Sequence, residues 1–433
     1  MRSWDFFDTL LGRACGAPYR VFELIGGEEF SRLRQQAEQK SDKTFDDIYR
    51  ALRQMTGWSS HRINELQNQE WQWEQRLAFP ILENVSGVAA NDLVVTDTYF
   101  NAAEIRQLAD CIGLPPVEIV ATYGGKHHGT VWKELKRKTR KIRAHTGDNR
   151  FADYEQARRY GFPAVIYRGG EDTGFDKLLH AAGHWDVVGI SRCVRLQNPY
   201  YRPDPRWNVW NKQAQFNLPF LMLCAARLHQ YVTEHGYRHL WFLSRDTCLL
   251  QRVYNALYPS IDTATFYASR QTYEDPSPAF RAYAQAAAQT PKCLFVDLQG
   301  TGKSVNTFAA ATGVTLPYIY CAMPTQLEPF RPTLYPLTYI GTELEVFNYD
   351  VMGRVVDVYR GQPVCAPIEY DVQLAAVGHE VTACAVKYLF QPPMAPEDST
   401  MQFVFAQMRR YAPRELVKQH QVHHPTFFPR TKT

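Results

Sequence analysis

The sequence has no CxxC pair, no long apolar run, no internal repeat and no large excess of charge of either sign. Its nine cysteines are Cys15, Cys111, Cys193, Cys224, Cys248, Cys293, Cys321, Cys365 and Cys384. An odd, scattered set of this kind argues against a disulfide framework and a structural zinc module, and reads as reduced thiols in a cytoplasmic protein. The most apolar long stretch, residues 216–228, still contains Asn217, Pro219 and Arg227. A spanning helix needs about 20 apolar residues, so no transmembrane segment and no membrane partner are expected. The chain opens MRSWDFFDTLLGR, with charges where a secretory leader needs an apolar core. Lys plus Arg number 48 and Asp plus Glu 44, a net +4 that demands no nucleic-acid partner.

Apolar material is plentiful. Hydrophobic residues make up 45% and aromatic residues 13%, enough for packed cores. At roughly 150 residues per domain, the length suggests about two or three domains. A very short strand at 2–7 is followed by a long helical region from about residue 21 to 84, where Phe45, Ile48, Leu52 and Met55 fall at helical spacing. Strands are then expected at 92–100, 117–125, 142–148 and 162–167, alternating with helices at 102–114, 129–141 and 153–162. That alternation predicts an α/β fold, a parallel sheet with helices on both faces. A mixed stretch at 169–204 places a junction near residue 190, giving domains of about 1–189 and 190–433. Alternation then resumes, with helices at 216–236, 247–258 and 305–313 and strands beginning near 239, 264, 292 and 317. The last 65 residues read as one helix, around 372–389, and a polar tail.

Four segments of the first half end an expected strand in polar residues: DFFDT (5–9), VVTDT (94–98), Gly124 to Lys126, and GDNRFAD (147–153). In a parallel sheet, the carboxyl ends of strands share one crevice. Asp5, Thr96, Lys126, Asp148 and Asp153 can therefore converge, although they are far apart in the chain. Their chemistry suits phosphate. One carboxylate can attack phosphorus, others can hold magnesium, and a Lys and a hydroxyl can neutralise phosphoryl oxygens.

In order and in flanks, these segments resemble the four motifs of the haloacid dehalogenase-like hydrolases, over about residues 1–170. The resemblance implies a Rossmann-like domain with a helical cap inserted at about 15–89. It implies Asp5 as nucleophile within a DxDxT-like motif ending at Thr9, Thr96 and Lys126 as phosphoryl-binding residues, and Asp5, Asp148 and Asp153 as the Mg²⁺ site. The chain departs from the pattern at Phe7. Phosphatases of the superfamily carry there a second Asp that serves as acid and base, an assistance commonly worth about 10²- to 10⁴-fold. Asp8 is adjacent, but alternation along a strand would turn it to the other face.

In the second half, FVDLQGTGKS fails as a P-loop, because Asp297 stands where the first Gly is required. A strand ending in an acid, then TG, then a hydroxyl residue, resembles the phosphate loop of phosphoribosyltransferases, over about residues 215–325. The resemblance implies Asp297 facing ribose hydroxyls and Thr301, Gly302 and Ser304 wrapping a 5-phosphate. The SRD loop, with Arg245, would bind pyrophosphate. Leu298 stands where that family has a second acid.

Other signals read as structural. KELKRKTRKIR (133–143) has seven basic residues in eleven; it reads as a solvated helix face, with nucleic-acid binding as the alternative. His180 and His184 lack the acid of an HExxH motif. His420, His423 and His424 read as exposed, and WQW (71–73) as packing. The expected function is a Mg²⁺-dependent phosphohydrolase acting on a small sugar or nucleotide phosphate, fused to a phosphosugar-binding domain. The alternative is a two-domain phosphate-ligand-binding or regulatory protein with little turnover.

Overall fold

A computed structural model describes residues 1–41, 43–138, 141–324, 333–337 and 341–423. Residues 139–140 of the basic run, His424, and the side chains of His420 and His423 lie outside the description. The protein is α/β, with two parallel five-stranded sheets. The chain divides into two compact units. Met1–Lys177 with Val188–Pro199 form the first; Leu178–Val187 and the chain from Tyr200 onward form the second. Among the described residues, no helix is long and apolar enough to cross a membrane.

In the first unit the strand order is Glu118–Thr122, Leu93–Asp97, Ser3–Trp4, His145–Gly147, Ala164–Ile166. Ser3 is in register with Leu93 on one side and with His145 on the other. Leu93, Val94 and Val95 are all buried, as a central parallel strand covered on both faces requires. The helix Ala102–Cys111 starts at a capping box between Asn101 and Glu104 and buries Ile105, Leu108 and Ala109. Beneath the helix Thr130–Arg137, Trp132 and Leu135 join Leu93, Val95 and Phe162 in one cluster. The basic run is thus amphipathic at its start, burying an apolar face and exposing its charges.

The first strand is shorter than the sequence suggests. It stops at Trp4 because the chain turns immediately: Leu10 N and Leu11 N both donate to Phe6 O, and Asp8 takes a left-handed φ of 54°. The expected unbroken helical region is three helices, Pro18–Lys40, Phe45–Thr56 and Ser60–Leu77, followed by the strand Ala78–Pro80. Gly57 ends the second helix with φ 70°, a conformation that costs glycine little. Ala78–Pro80 pairs antiparallel with Leu11–Arg13, so the chain leaves the sheet layer and returns to it at one point.

The three helices share a buried ionic centre. Arg34 donates twice to Glu70, at 2.8 Å through both Nε and Nη2, and both side chains are fully buried. Tyr49 Oη donates to Glu70 at 2.7 Å, and Tyr99 Oη reaches it at 3.3 Å. Arg13 pairs with Glu74 at 2.8 Å.

In the second unit the order is Thr333–Leu337, Tyr318–Pro324, Cys293–Gln299, His239–Leu243, Asp262–Phe266, all parallel. Read from the other edge, this is the 2-1-3-4-5 order of a doubly wound sheet. The apolar stretch near residue 220 is the helix Leu218–Glu234, which buries most of its circumference and is a core helix. The C-terminal expectation is corrected. The last part of the chain holds the antiparallel pair Val355–Tyr359 and Gln362–Cys365, then the helices Val372–Val386, Asp398–Tyr411 and Arg414–His423. The second of these buries only Met401, Val404 and Met408, a stripe too sparse to stand out in the sequence.

Breaking a buried pair leaves a bare charge in an apolar centre. Arg34→Met is expected to lower the stability of the first unit by about 3–5 kcal/mol, and Arg34→Met with Glu70→Leu by clearly less, because the double change removes both charges. Denaturant unfolding of the three proteins checks this.

Candidate functional site

In the first sheet, Ser3–Trp4 and His145–Gly147 lie side by side, and the chain leaves them towards opposite edges. Ligand crevices form outside the carboxyl ends of strands at such a reversal. Asp5 follows one of these strands and Asp148 the other. Asp5 N donates to Thr146 O at 2.8 Å, and the Asp5 residue is only 5% exposed.

Lys126 is buried between two carboxylates. Its Nζ donates to Asp5 Oδ1 and, at 2.6 Å, to Asp153 Oδ1. The loop that carries it is held by Asp97, whose carboxylate accepts from Lys126 N at 2.9 Å, His127 N at 3.2 Å and Thr122 Oγ1 at 2.6 Å. Sequence reasoning missed Asp97. The signal was present, since it is the acid that closes VVTD one position after Thr96.

Asp153 sits on a π-helical turn, Arg150–Glu155, which the Asn149 side chain caps. Its Oδ2 accepts from Asn149 N at 3.0 Å and its Oδ1 lies 3.2 Å from His145 Nε2. His145 Nδ1 lies 2.9 Å from Ser3 Oγ. Burial lowers the His145 pKa, so the ring is neutral, and the network assigns its proton to Nε2. His145 was also missed; it shares a strand face with Gly147, two residues on. Gly147 is needed where it stands, because a Cβ there would lie 2.4 Å from Asp153 Cγ.

Thr9 Oγ1 closes the group, 3.5 Å from Asp5 Oδ2 and 3.4 Å from Asp148 Oδ1. Asp5, Asp148 and Asp153 each offer an oxygen within 4.8 Å of the others. The fifth expected residue lies on the strand next to Ser3–Trp4. Thr96 is buried on the neighbouring strand opposite Ala121, and among the described residues no hydrogen bond joins it to the other four.

Burial and neighbouring charges together set the pKa values. Burial pushes Asp5 well above the usual carboxylate range, against the pull of Lys126, while Asp153 and Asp148 push it further. For Asp153 the His145 hydrogen bond and the Lys126 charge outweigh burial and hold it at about 2. Asp148, the most exposed of the three, is raised by partial burial and by the charge of Asp8. One ammonium therefore faces three carboxylates. An all-oxygen donor set with a surplus of negative charge fits Mg²⁺, which Asp5, Asp148 and Asp153 would hold.

Phe7 contributes no acid. Its ring lies beneath the Arg13 guanidinium, 4.1 Å from carbon to centroid, and packs edge-on against Phe6. Asp8 lies past the strand end with a left-handed φ, so strand alternation does not set its direction. Its side chain is 40% exposed, 3.8 Å from Arg192, and its field reaches Asp148.

In the second unit, Arg245, Asp297, Thr301, Gly302 and Ser304 all line one cleft of about 380 Å³ at the carboxyl ends of His239–Leu243 and Cys293–Gln299. Those adjacent strands mark the order reversal of the second sheet. Gly302, with φ 75°, caps the ten-residue helix Lys303–Thr312. Among the described residues, the amides of Thr301, Gly302 and Ser304 donate no hydrogen bond. Four acids, Asp246, Asp297, Glu345 and Glu369, line the cleft. Burial, then the charge of Glu345, pushes Asp246 up to about 7, and burial, then the charge of Asp246, raises Asp297. Sequence reasoning had Asp246 only as part of the SRD loop, and it missed Glu345, Glu369 and the cations Arg270 and Arg354.

Gly147→Ala is expected to cost about 1–3 kcal/mol of stability, since Asp153 cannot withdraw without losing Lys126 and His145. Gly170→Ala, where the nearest atom to a new Cβ is Asp8 O at 3.7 Å, should stay within about 0.5 kcal/mol. Chemical denaturation of both variants is the check. No protein-family model matches the chain, and no curated protein matches its sequence.

Proposed function

We propose that the first unit is a Mg²⁺-dependent phosphohydrolase of the haloacid dehalogenase-like type, acting on a small sugar or nucleotide phosphate. The observation that carries this reading is the sharing of the Lys126 ammonium between Asp5 and Asp153, with Asp148 and Thr9 closing the group. Asp5 is the nucleophile. A bond forms from its carboxylate oxygen to phosphorus as the bond to the leaving oxygen breaks, and water then hydrolyses the aspartyl-phosphate. Mg²⁺ at the three carboxylates supplies charge neutralisation to the phosphoryl oxygens. Lys126 draws Asp5 towards its ionised form against the effect of burial and, with Thr96, binds the phosphoryl oxygens. Asp97 and His145 position Lys126 and Asp153. The helices between Leu11–Arg13 and Ala78–Pro80 serve as the cap.

With Phe7 occupied by packing, protonation of the leaving oxygen falls to Asp8. The second unit binds a phosphosugar in a phosphoribosyltransferase-like manner, with Asp297 on the ribose hydroxyls, the amides of Thr301, Gly302 and Ser304 on the phosphate and Arg245 on pyrophosphate. A second reading, ligand binding with little turnover, is favoured by one observation: Phe7 is fixed beneath Arg13, which Glu74 holds.

Turnover of an aryl phosphate should require Mg²⁺ and fall to background in Asp5→Asn with the fold intact by circular dichroism. Unchanged turnover in that variant removes the nucleophile assignment, and no turnover in the parent protein selects the binding reading. Asp8→Asn should slow alkyl phosphates by about 10²- to 10⁴-fold and aryl phosphates much less, because an aryl leaving group needs little protonation. Equal rates for both classes would discard Asp8 as the acid.

For the second unit, calorimetry should show binding of a ribose phosphate. Gly302→Val should weaken it at least about tenfold, the loss of roughly one charge-assisted hydrogen bond. Asp297→Asn should weaken ribose phosphate more than inorganic phosphate, since only the sugar offers hydroxyl donors. If neither ligand binds, the phosphosugar assignment is dropped.

A further inference from the structure

Cys248, Asp350 and His379 belong to three separated segments of the second unit. Cys248 is the first residue of the helix Cys248–Leu257, Asp350 follows the helix Thr342–Phe347, and His379 lies midway along Val372–Val386. Cys248 Sγ is 3.8 Å from His379 Nε2, and the same nitrogen is 3.3 Å from Asp350 Oδ1. Sulfur, nitrogen and a carboxylate oxygen all lie within 4.8 Å of one another. A tetrahedral ion with bonds of about 2.3 Å to sulfur and about 2.0–2.1 Å to nitrogen and oxygen spaces its ligands about 3.3–3.7 Å apart. The two measured separations match that spacing to within a few tenths of an ångström.

Hydrogen bonding alone leaves Nε2 with conflicting demands. Protonated, it donates to Asp350 and has no lone pair for the thiol. Unprotonated, it accepts from the thiol and sets its lone pair against a carboxylate. The ring has no other outlet, since Nδ1 is buried without a hydrogen-bond partner among the described residues. A cation between the three atoms satisfies thiolate, imidazole and carboxylate together. A further contact favours this. Asp350 Oδ1 accepts from Val351 N at 2.7 Å, an outer contact that orients a ligating carboxylate.

We propose that Cys248, Asp350 and His379 form a three-ligand zinc site, with the fourth coordination position left for water or an exogenous oxygen donor. The mixed sulfur, nitrogen and oxygen set selects zinc over Mg²⁺ and separates this site from the all-oxygen cluster of the first unit. Three protein ligands and an open position are the pattern of zinc that meets substrate, whereas structural zinc has four. Asp246, Tyr349 and Tyr370 surround the cluster in sequence or by contact, and all three line the cleft; Tyr370 Oη donates to Asp350 O at 2.6 Å. The site therefore borders the cleft, and it stands independently of the phosphohydrolase reading.

The test is Co²⁺ titration of the full-length, chelator-stripped, reduced protein, followed by absorption. The expected result is a thiolate-to-cobalt charge-transfer band in the near ultraviolet with the strong visible bands of four-coordinate cobalt. Both should saturate at one equivalent and disappear on addition of Zn²⁺. Cobalt at the carboxylate cluster gives no sulfur band. Cys248→Ser should abolish that band, and His379→Ala should weaken binding at least about 100-fold, more than loss of an outer contact costs. A band unchanged in Cys248→Ser places the metal on another cysteine and overturns the proposal, as does the absence of any sulfur band in the parent protein. X-ray absorption of the zinc-loaded parent protein needs no variant. One sulfur neighbour at about 2.3 Å among lighter neighbours at about 2.0–2.1 Å supports the site, and no sulfur or several sulfurs overturns it.

Discussion

The Lys126 ammonium is the charge on which the first unit's crevice depends. Two buried carboxylates, Asp5 and Asp153, meet at one nitrogen. Without it, both would be desolvated and mutually repelled, and such groups neutralise rather than stay charged. The surrounding residues keep that nitrogen in place. Asp97 fixes the backbone of the loop, Gly147 leaves room for Asp153, and a neutral His145 turns a donor towards it. Asp5 and Asp153 differ sharply in basicity under the same ammonium, because Asp153 also accepts from His145 and Asn149. A buried acid kept poised beside one held fully ionised is an arrangement found where proton and phosphoryl chemistry are done.

A second ionic centre ties the helical insert to that crevice. Arg13 stands at the end of the strand Leu11–Arg13, pairs with Glu74 of the helix Ser60–Leu77, and covers the ring of Phe7. Phe7 is thus held in place by a residue that the insert itself anchors. Trp71 of the same helix packs on Phe100, just past the strand that carries Thr96. The Trp-Gln-Trp run is packing, and it links the insert to the sheet layer on which the crevice is built.

The second unit reaches a similar arrangement by a different strand order. Its cleft also lies where the order reverses, and it too opens at carboxyl ends and holds more acids than the fold needs. Its cations differ in kind. Arg245, Arg270, Arg354 and Lys303 line an open cleft and offer several separate donors, whereas Lys126 is a single buried point charge. Open cations, and amides that among the described residues donate no hydrogen bond, suit reversible capture of an anion. A buried Lys between carboxylates suits a fixed reaction centre.

Local pattern made much of this legible in the sequence. Apolar runs alternating with helical periodicity implied parallel α/β units, and strand-ending polar residues marked Asp5, Lys126, Asp148 and Asp153, because a parallel strand must deliver its last residue to the same edge as its neighbours. The TG turn before residue 303 marked the second cleft for the same reason. Asp97, His145 and Arg34 were not legible, since a buried polar residue is distinguished by its partner, and its partner is far away in the chain. Asp8 was misjudged because strand alternation stops where the strand stops, and Trp4, not Phe7, is its last residue. Cys248, Asp350 and His379 carry no spacing at all. Only helix packing brings a thiol, an imidazole and a carboxylate from three segments to one point. The sequence determined which residues end strands, through local periodicity; the tertiary structure alone decided which charges meet, because that depends on strand order and on contacts between distant segments.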